Sequence, residues 1–362
     1  MDKKEYRDWL KLVSIKGIGQ GKIRRLLKIF HSPEKVFDAN KHQLSNLTFL
    51  SKNAVNEISK NENEEFIENQ LKLLERYDVR LISITDEEYP DLLKFIYDPP
   101  ILLYIKGEIL PQDSRAIAIV GTRKPTNYGR LSAIKIGVEI ARTGFTIVSG
   151  LAYGIDSCAH KAALDAGGRT IAVYGTGLDI VYPAVHRALA KDIIQSGALI
   201  SEFPLGTKIE AWNFPTRNRI ISGMCKGTFV IEGKKTSGAL LTAKMALEQN
   251  RDVFALPGNI NSPQSEGPNY LIKLGAKIVT KAEDILEEYH IKMQVESEKI
   301  TPKMTKEEGE VYKLLQKNDR NLGLDEMVTL SDFSPARISA MLLNMELKGI
   351  IKRGAQNRYW LV

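Results

Sequence analysis

Residues 116–156 read AIAIVGTRKPTNYGRLSAIKIGVEIARTGFTIVSGLAYGID, which is the pattern of one strand–helix–strand unit. The apolar run Ala116–Val120 predicts a strand, residues 127–142 have helical periodicity, and the apolar run Phe145–Val148 predicts a second strand. A glycine follows each strand closely. Parallel strands of such a unit end at the same edge of a sheet, so we expect the two glycine turns to be neighbours.

The same alternation of short apolar runs and helical segments continues to about residue 290. Repeated strand–helix alternation predicts an α/β fold, with a doubly wound, Rossmann-like parallel sheet. The further predicted strands are Thr170–Tyr174, Ala198–Ser201, Thr228–Ile231, Val253–Leu256 and Lys277–Val279.

Two smaller regions flank this sheet. Residues 1–80 predict a small helical domain, in which the turn Gly17-Ile18-Gly19 resembles a DNA-binding helix-hairpin-helix. The sheet domain spans residues 81–290, and residues 291–304 predict a linker. Residues 305–362 predict three helices and a hairpin, the pattern of a winged helix that either reads DNA or docks a protein. Its candidate DNA-reading residues are Arg337, Asn344, Lys352, Arg353 and Arg358.

The composition is that of an ordinary globular protein with a basic excess. The chain has 362 residues, of which 43% are hydrophobic and 26% charged, with a formal net charge of +7. The excess favours a polyanion as partner. No apolar run is long enough to predict a membrane span, and the spacing of Cys158 and Cys225 is not that of a metal site. We therefore expect a cytoplasmic protein without a membrane partner.

The predicted strand ends carry a row of glycines, cations and aromatic residues. Backbone amides at glycine turns approach phosphates closely, helix dipoles favour anions, and aromatic rings stack on bases. These features favour a polynucleotide, although buried arginines also pair with acids inside a fold. The predicted nucleic-acid-binding residues are Gly121, Thr122, Arg123, Ser149, Gly150, Tyr153, Phe214, Arg217, Asn218, Arg219, Lys234 and Lys235.

Several common catalytic patterns do not occur in the sequence. No G-x-x-x-x-G-K-[ST] motif is present, and no G-x-G-x-x-G motif follows the first strand of the sheet domain, which argues against a P-loop ATPase and a dinucleotide-dependent enzyme. Asp156 and His160 share one helix face, whereas Cys158 points away, so no Cys–His pair forms within that helix. We expect Asp156 to cap the helix and His160 to pack. The sequence predicts a protein that is not an enzyme and needs no cofactor or metal.

Read together, the strand-end motifs closely resemble the DprA/Smf family of DNA-processing proteins. The resemblance covers residues 89–285 in order. The matching pieces are YPDLLKFIYDPPILLYIKG, IVGTRKPTNYG, SGLAYGIDSCAHKAAL, GTGLDIVYP, LISEFPLGT, NFPTRNRIISG, SGALLTAKMALEQNRDVFALPGNI and EGPNYLIKLGA.

This resemblance implies a homodimer that binds single-stranded DNA, protects incoming strands during natural transformation and helps load RecA recombinase onto them. Arg123 would hold a backbone phosphate, and Arg217 and Arg219 would lie along the same basic pocket. The family usually has Arg or Lys where this chain has Tyr153, so the resemblance implies a stacking or hydrogen-bonding contact there in place of an ionic one. Lys234 and Lys235 would compensate for the missing charge. The resemblance also places residues 267–274 in the dimer interface.

Two other functions remain open from the residues. Rossmann-like phosphoribohydrolases have similar strand-end loops, and Glu232 would be the catalytic carboxylate of such an enzyme. A duplex-DNA regulator would instead use the winged helix. Release of a free base would indicate the enzyme, and a footprint on one particular duplex would indicate the regulator.

Overall fold

The computed structural model describes residues 3–60, 63–291, 304–317, 321–347, 350–354 and 358–361. The chain forms two compact units, residues 1–293 and 294–362. Residues 292–303 of the predicted linker and residues 355–357 of the predicted hairpin turn lie outside the described residues. None of the helices in the described ranges is long and apolar enough to cross a membrane.

Helices and strands alternate through most of the first unit. Its helices are α1 (Lys3–Val13), α2 (Gln20–Phe30), α3 (Pro33–Asp38), α4 (Lys41–Ser45), α5 (Lys52–Lys60), α6 (Glu64–Tyr77), α7 (Asp91–Lys94), α8 (Asn127–Arg142), α9 (Ile155–Asp165), α10 (Arg187–Ser196), α11 (Asn213–Gly223), α12 (Gly238–Glu248), α13 (Glu266–Lys273) and α14 (Glu283–Leu286). Its strands are β1 (Arg80–Ser83), β2 (Leu102–Gly107), β3 (Ala116–Val120), β4 (Thr146–Ser149), β5 (Thr170–Val173), β6 (Gly197–Ser201), β7 (Gly227–Val230), β8 (Asp252–Ala255) and β9 (Lys277–Ile278).

These strands form one sheet in the order β1-β2-β6-β5-β4-β3-β7-β8-β9. The pairs β1–β2 and β2–β6 are antiparallel, and all other neighbours are parallel. The doubly wound sheet predicted from the sequence is thus confirmed. The chain winds outward from β3 in one direction and from β7 in the other, and a crevice forms where such a sheet reverses direction.

Alternating side chains of the strands bury both faces of the sheet. Ala118 and Val120 of β3 pack in the same core as α11, α12 and α13. Ile117 and Ile119, which point the opposite way, pack with α8, α9 and α14. Helices α1–α6 share a core with one side of β2, where Tyr104 is 1% exposed. The N-terminal helices therefore bury their apolar faces against the sheet, and their boundary at residue 80 stays a prediction.

The second unit contains three helices and a small sheet. Its helices are α15 (Lys306–Lys317), α16 (Leu324–Thr329) and α17 (Pro335–Leu347), and its strands are β10 (Asn321–Gly323), β11 (Ile351–Arg353) and β12 (Arg358–Leu361). The strand order is β10-β12-β11, around a core that includes Met327, Ile338 and Met345. This arrangement confirms the predicted winged helix. Strand β10 was not predicted, because three residues are too short to establish a period.

Candidate nucleic-acid interface

A groove of about 950 Å³ opens at the carboxyl ends of β3 and β7, where the sheet reverses direction. We call it the strand-end groove. Three segments line most of it: residues 121–124 after β3, residues 214, 215, 217 and 218 of α11, and residues 234 and 236–239 before and at the start of α12. The fold therefore brings together segments that lie about a hundred residues apart in the sequence.

Arg123 stands exposed on a backbone loop that is firmly held. The Thr122 N–H donates to the Glu232 carbonyl (2.7 Å), and the Thr122 carbonyl accepts from the Ile155 N–H (3.2 Å). A Cβ on Gly121 would lie 2.5 Å from Ile155 Cγ1, so only glycine fits there. The Arg123 guanidinium lies 5.9 Å from the centre of the Phe214 ring, and no ion pair to it is found among the described residues. Its donors are therefore directed to solvent or to a ligand.

The loop after β4 is braced from below by Asp156. The Asp156 carboxylate accepts the N–H groups of Gly150 (3.1 Å) and Ala152 (3.3 Å). Helix α9 starts at Ile155 after Gly154, so Asp156 lies in the first turn, and the prediction that it caps the helix is wrong. Burial raises the pKa of this carboxyl, and the nearby Arg217 charge opposes the rise. Asp156 therefore sets the shape of the loop.

Ser149 lies beneath this loop. Its side chain is fully buried, and its hydroxyl donates to the Ile119 carbonyl (2.7 Å). The hydroxyl therefore ties the ends of β4 and β3 together, and the predicted direct contact of Ser149 with a ligand would require this buried bond to break.

Arg217 forms the floor of the groove. Its side chain is buried and donates to the carbonyls of Gly150 (2.9 Å) and Val173, while Nε donates to Asn218 Oδ1 (3.2 Å). Burial lowers its pKa to about 10, and Asp156 opposes this change, so the guanidinium is charged at neutral pH. A Cβ on Gly150 would lie 2.4 Å from Arg217 Nη2. Arg217 thus holds the loops together and adds positive potential to the groove.

Arg219 points away from the groove. Two residues along a helix correspond to a rotation of about 200°, which puts Arg217 and Arg219 on opposite faces of α11. The Arg219 guanidinium pairs with the almost buried Glu202, and its Nε lies 3.8 Å from Asp98 Oδ2. The internal ion pair, the role that the sequence left open, is the one that the structure has.

The two neighbouring lysines also separate. Lys234 is exposed and lines the strand-end groove. Lys235 instead lies 3.8 Å from Glu266 Oε1, and its ammonium is 5.0 Å from the centre of the Tyr270 ring. Asn218 joins this region to α11 by donating to the Gly238 carbonyl (3.4 Å). Of the two lysines, Lys234 is the one that lines the groove.

Aromatic rings form one end of the groove. Tyr153 is 48% exposed, with its ring edge-on to His186 at 5.5 Å, and Tyr182 is 38% exposed, with its ring 5.6 Å from that of Phe214. The residue-level prediction omitted Tyr182 and His186. The motif GTGLDIVYP, which follows β5 and ends next to Tyr182, was the signal that could have found them.

The carboxylate required by the enzyme alternative is already engaged. Glu232 is 1% exposed, and its two oxygens accept from the Thr126 N–H (2.8 Å) and the Thr126 hydroxyl (2.6 Å). Thr126 is the N-cap of α8, so Glu232 fixes the start of that helix. His160 is fully buried and bonded to Thr170 (2.7 Å), and burial lowers its pKa to about 3. It packs, as expected, and takes no part in the groove.

Two of the arginines that would read DNA from the winged helix form ion pairs within that unit. Arg337 pairs with Glu307 and Arg358 with Glu326 (3.0 Å), all at partly exposed positions. Exposed pairs of this kind contribute little to stability.

Comparison with known proteins identifies the family. Residues 80–290 match the family model of DNA recombination-mediator protein A, and residues 296–357 match the DprA winged helix domain. The DNA processing protein DprA of Bacillus subtilis is 46% identical over 233 residues, which are 63% of this chain and 78% of that protein.

Two solved structures are similar as well. The structure of DprA from Streptococcus pneumoniae is 34% identical, covers 80% of this chain and 98% of its own, and superposes with a TM-score of 0.68. A structure of DNA processing protein A from Helicobacter pylori, described in terms of its single-stranded DNA binding mode, is 28% identical, with a TM-score of 0.53 over 59% of this chain and 95% of its own. The chain therefore belongs to the DNA recombination-mediator protein A family, also named DprA/Smf.

Proposed function

We propose that the chain binds single-stranded DNA along the strand-end groove. The observation that carries the proposal is the combination, in one open groove, of Arg123 and Lys234 with the exposed ring of Tyr182 and the half-buried ring of Phe214. Cations without internal partners attract phosphates, and rings accept the faces of unpaired bases. The Helicobacter pylori relative, whose structure concerns single-stranded DNA binding, supports the same ligand.

By the family resemblance, the protein protects incoming strands and helps load RecA recombinase onto them during natural transformation, in the cytoplasm. The proposal contains no catalytic step. The engagement of Glu232 with Thr126 at the start of α8 supports binding over nucleotide cleavage, because that carboxylate is not available to a substrate in the groove.

The test of DNA binding is a titration of labelled oligo-dT and of a matched duplex across a salt series. Wild-type protein should prefer the single strand and lose affinity steeply with salt, and Arg123→Ala should lose most of that affinity. The matched control is Arg142→Ala, which removes an exposed arginine from the last turn of α8, at the opposite end of that helix from the groove. Equal binding of the duplex, with no effect of Arg123→Ala, would contradict the proposal.

We infer that the functional form is a homodimer built on residues 267–274. Two apolar side chains of this segment are exposed, Tyr270 by 39% and Leu274 by 62%. Leu274 shares a shallow groove with Leu247, itself 54% exposed, at the edge of the sheet. Sedimentation should show a dimer for wild type and a monomer for Leu274→Glu. Leu131→Glu, at a similarly exposed position on α8, should stay dimeric, and a dimeric Leu274→Glu would contradict the inference.

Loading of RecA is tested by measuring its assembly on single-stranded DNA with and without the protein. Wild-type protein should speed assembly and Arg123→Ala should not, because the strand must first be held in the groove. Equal assembly rates in the presence and absence of wild-type protein would refute this part of the proposal.

A further inference from the structure

The aromatic residues at the end of the strand-end groove lie directly beside its cation. Tyr153, Tyr182 and Phe214 line one recess together with Arg123. The exposed fractions of Tyr153 and Tyr182, 48% and 38%, are large for aromatic side chains that serve a core. Their rings thus offer apolar faces next to a site that attracts phosphate.

The ring of Tyr153 is held in place by its surroundings. Its loop is fixed by the Asp156 carboxylate, and the backbone of Gly154 packs so tightly that an added Cβ would lie 2.4 Å from the Thr122 carbonyl oxygen. The ring contacts His186 edge-on, and His186 is itself held by a hydrogen bond between Nδ1 and the Leu151 carbonyl (2.9 Å). A ring already fixed in this way loses little conformational entropy when a ligand stacks on it.

The ring of Tyr182 is supported by Phe214. It packs at 46° against Phe214, with 5.6 Å between the ring centres. The Arg123 guanidinium lies over the same Phe214 ring, at 5.9 Å. The cation and the rings therefore lie close together, so a phosphate held by Arg123 has aromatic rings beside it.

We propose that Tyr153 and Tyr182 form a base-stacking subsite that receives the bases next to the phosphate held by Arg123. This proposal rests on the single-stranded DNA binding proposed above and adds to it the part of the nucleotide that position 153 recognises. Bases expose their faces fully only when unpaired, so the subsite selects single strands over duplex. The contact is with the base and not with a charge, so its contribution does not depend on salt.

The test is a scan of a single abasic spacer along a short oligo-dT, with affinities measured by fluorescence anisotropy at several salt concentrations. For wild type, one or two spacer positions should weaken binding by roughly ten-fold, the order expected for one stacked base. Tyr153→Ala should lose a similar factor on intact oligo-dT and become insensitive to the spacer at one of those positions. Its salt slope should equal that of wild type.

Three further results distinguish the proposals. Tyr153→Phe keeps the ring and should retain the wild-type spacer profile, whereas a loss equal to that of Tyr153→Ala would overturn the stacking role. A Tyr153→Ala spacer profile unchanged from wild type, with normal salt-dependent binding, would overturn the subsite alone. A wild-type protein that does not bind oligo-dT would overturn the proposed function and the subsite together.

Discussion

Neutralising Lys234 and Lys235 one at a time should have unequal effects on DNA binding. The sequence suggests that both lysines contact phosphate, so that their joint removal would flatten the salt dependence by about 1.4 log units, at about 0.7 per phosphate on a single strand. Both side chains are exposed in the structure, but Lys234 lines the strand-end groove, whereas Lys235 does not and lies 3.8 Å from Glu266. The contribution of this pair to the salt dependence of DNA binding should therefore come from Lys234.

The expected magnitude follows from counterion release. One phosphate contact on a single strand changes the slope of log K against log salt by about 0.7, which is a factor of about 5 in affinity for a ten-fold change in salt. Lys234→Gln should lower the slope by about 0.7. Lys235→Gln should leave it unchanged, and the double variant should match Lys234→Gln.

The assay is equilibrium binding of labelled oligo-dT over at least a ten-fold range of salt. Glutamine keeps most of the length of the lysine side chain, so a change in slope reports the lost charge. Lys235→Gln is the matched control, because it removes the same charge one residue away. A slope lowered equally by the two single variants, or by neither, would refute the assignment of Lys234 to the groove.

Three other substitutions test the interior of the fold. The folded-state pKa of His160, about 3, is below its ordinary value of 6.5, so the free energy of unfolding should fall as pH drops from about 6.5 toward 3. The loss should be about 2 kcal/mol between pH 7 and pH 5. Urea unfolding of His160→Asn should show a flatter pH dependence than wild type, and an equal dependence would refute the buried neutral state. Gly129→Ala puts a Cβ 2.4 Å from Glu232 Oε2 and should destabilise the fold by about 2 kcal/mol. The control Gly238→Ala, whose Cβ meets no atom within 4 Å, should not destabilise it. Equal urea midpoints for the two variants would contradict the contact. Arg219→Ala leaves the buried Glu202 carboxylate without its arginine partner and should cost about 3 kcal/mol of stability. It should not change the salt slope of DNA binding, and a reduced slope would show that Arg219 contacts DNA.

The sheet domain was predictable because its signals are local and repeated. Helix α8 spans residues 127–142, as its period indicated, and β3 spans Ala116–Val120. Both are long or strongly apolar, with a turn signal at each end. A cap at Asp156 requires the helix to begin after this residue, whereas α9 begins at Ile155, so Asp156 holds the loop before the helix instead. Which atoms a carboxylate meets depends on the backbone of the loop, and the residue pattern does not encode it.

The residues that line the groove were harder to predict than the presence of a groove at this edge of the sheet. Each candidate cation follows a strand end or lies near the start of a helix, which places it close to the crevice but does not fix its direction. The motif FPTRNR lies in the first turns of α11, which begins at Asn213. Once the helix is known to begin at Asn213, geometry alone puts Arg217 and Arg219 on opposite faces.

The two faces of α11 have different neighbours, and this explains why the sequence overstates the charge of the groove. On one face, Arg217 bonds the carbonyls of the loops that form the floor. On the other, Arg219 joins Glu202 and Asp98, and Arg24 of α2 donates to the same Asp98 carboxylate (2.8 Å). Burying a charge costs free energy unless a partner compensates, so an arginine that is buried and paired in this way stabilises the fold and is not available to DNA. The salt dependence of DNA binding should therefore follow the exposed cations that line the groove, Arg123, Lys124 and Lys234, and not the number of basic residues in the motifs.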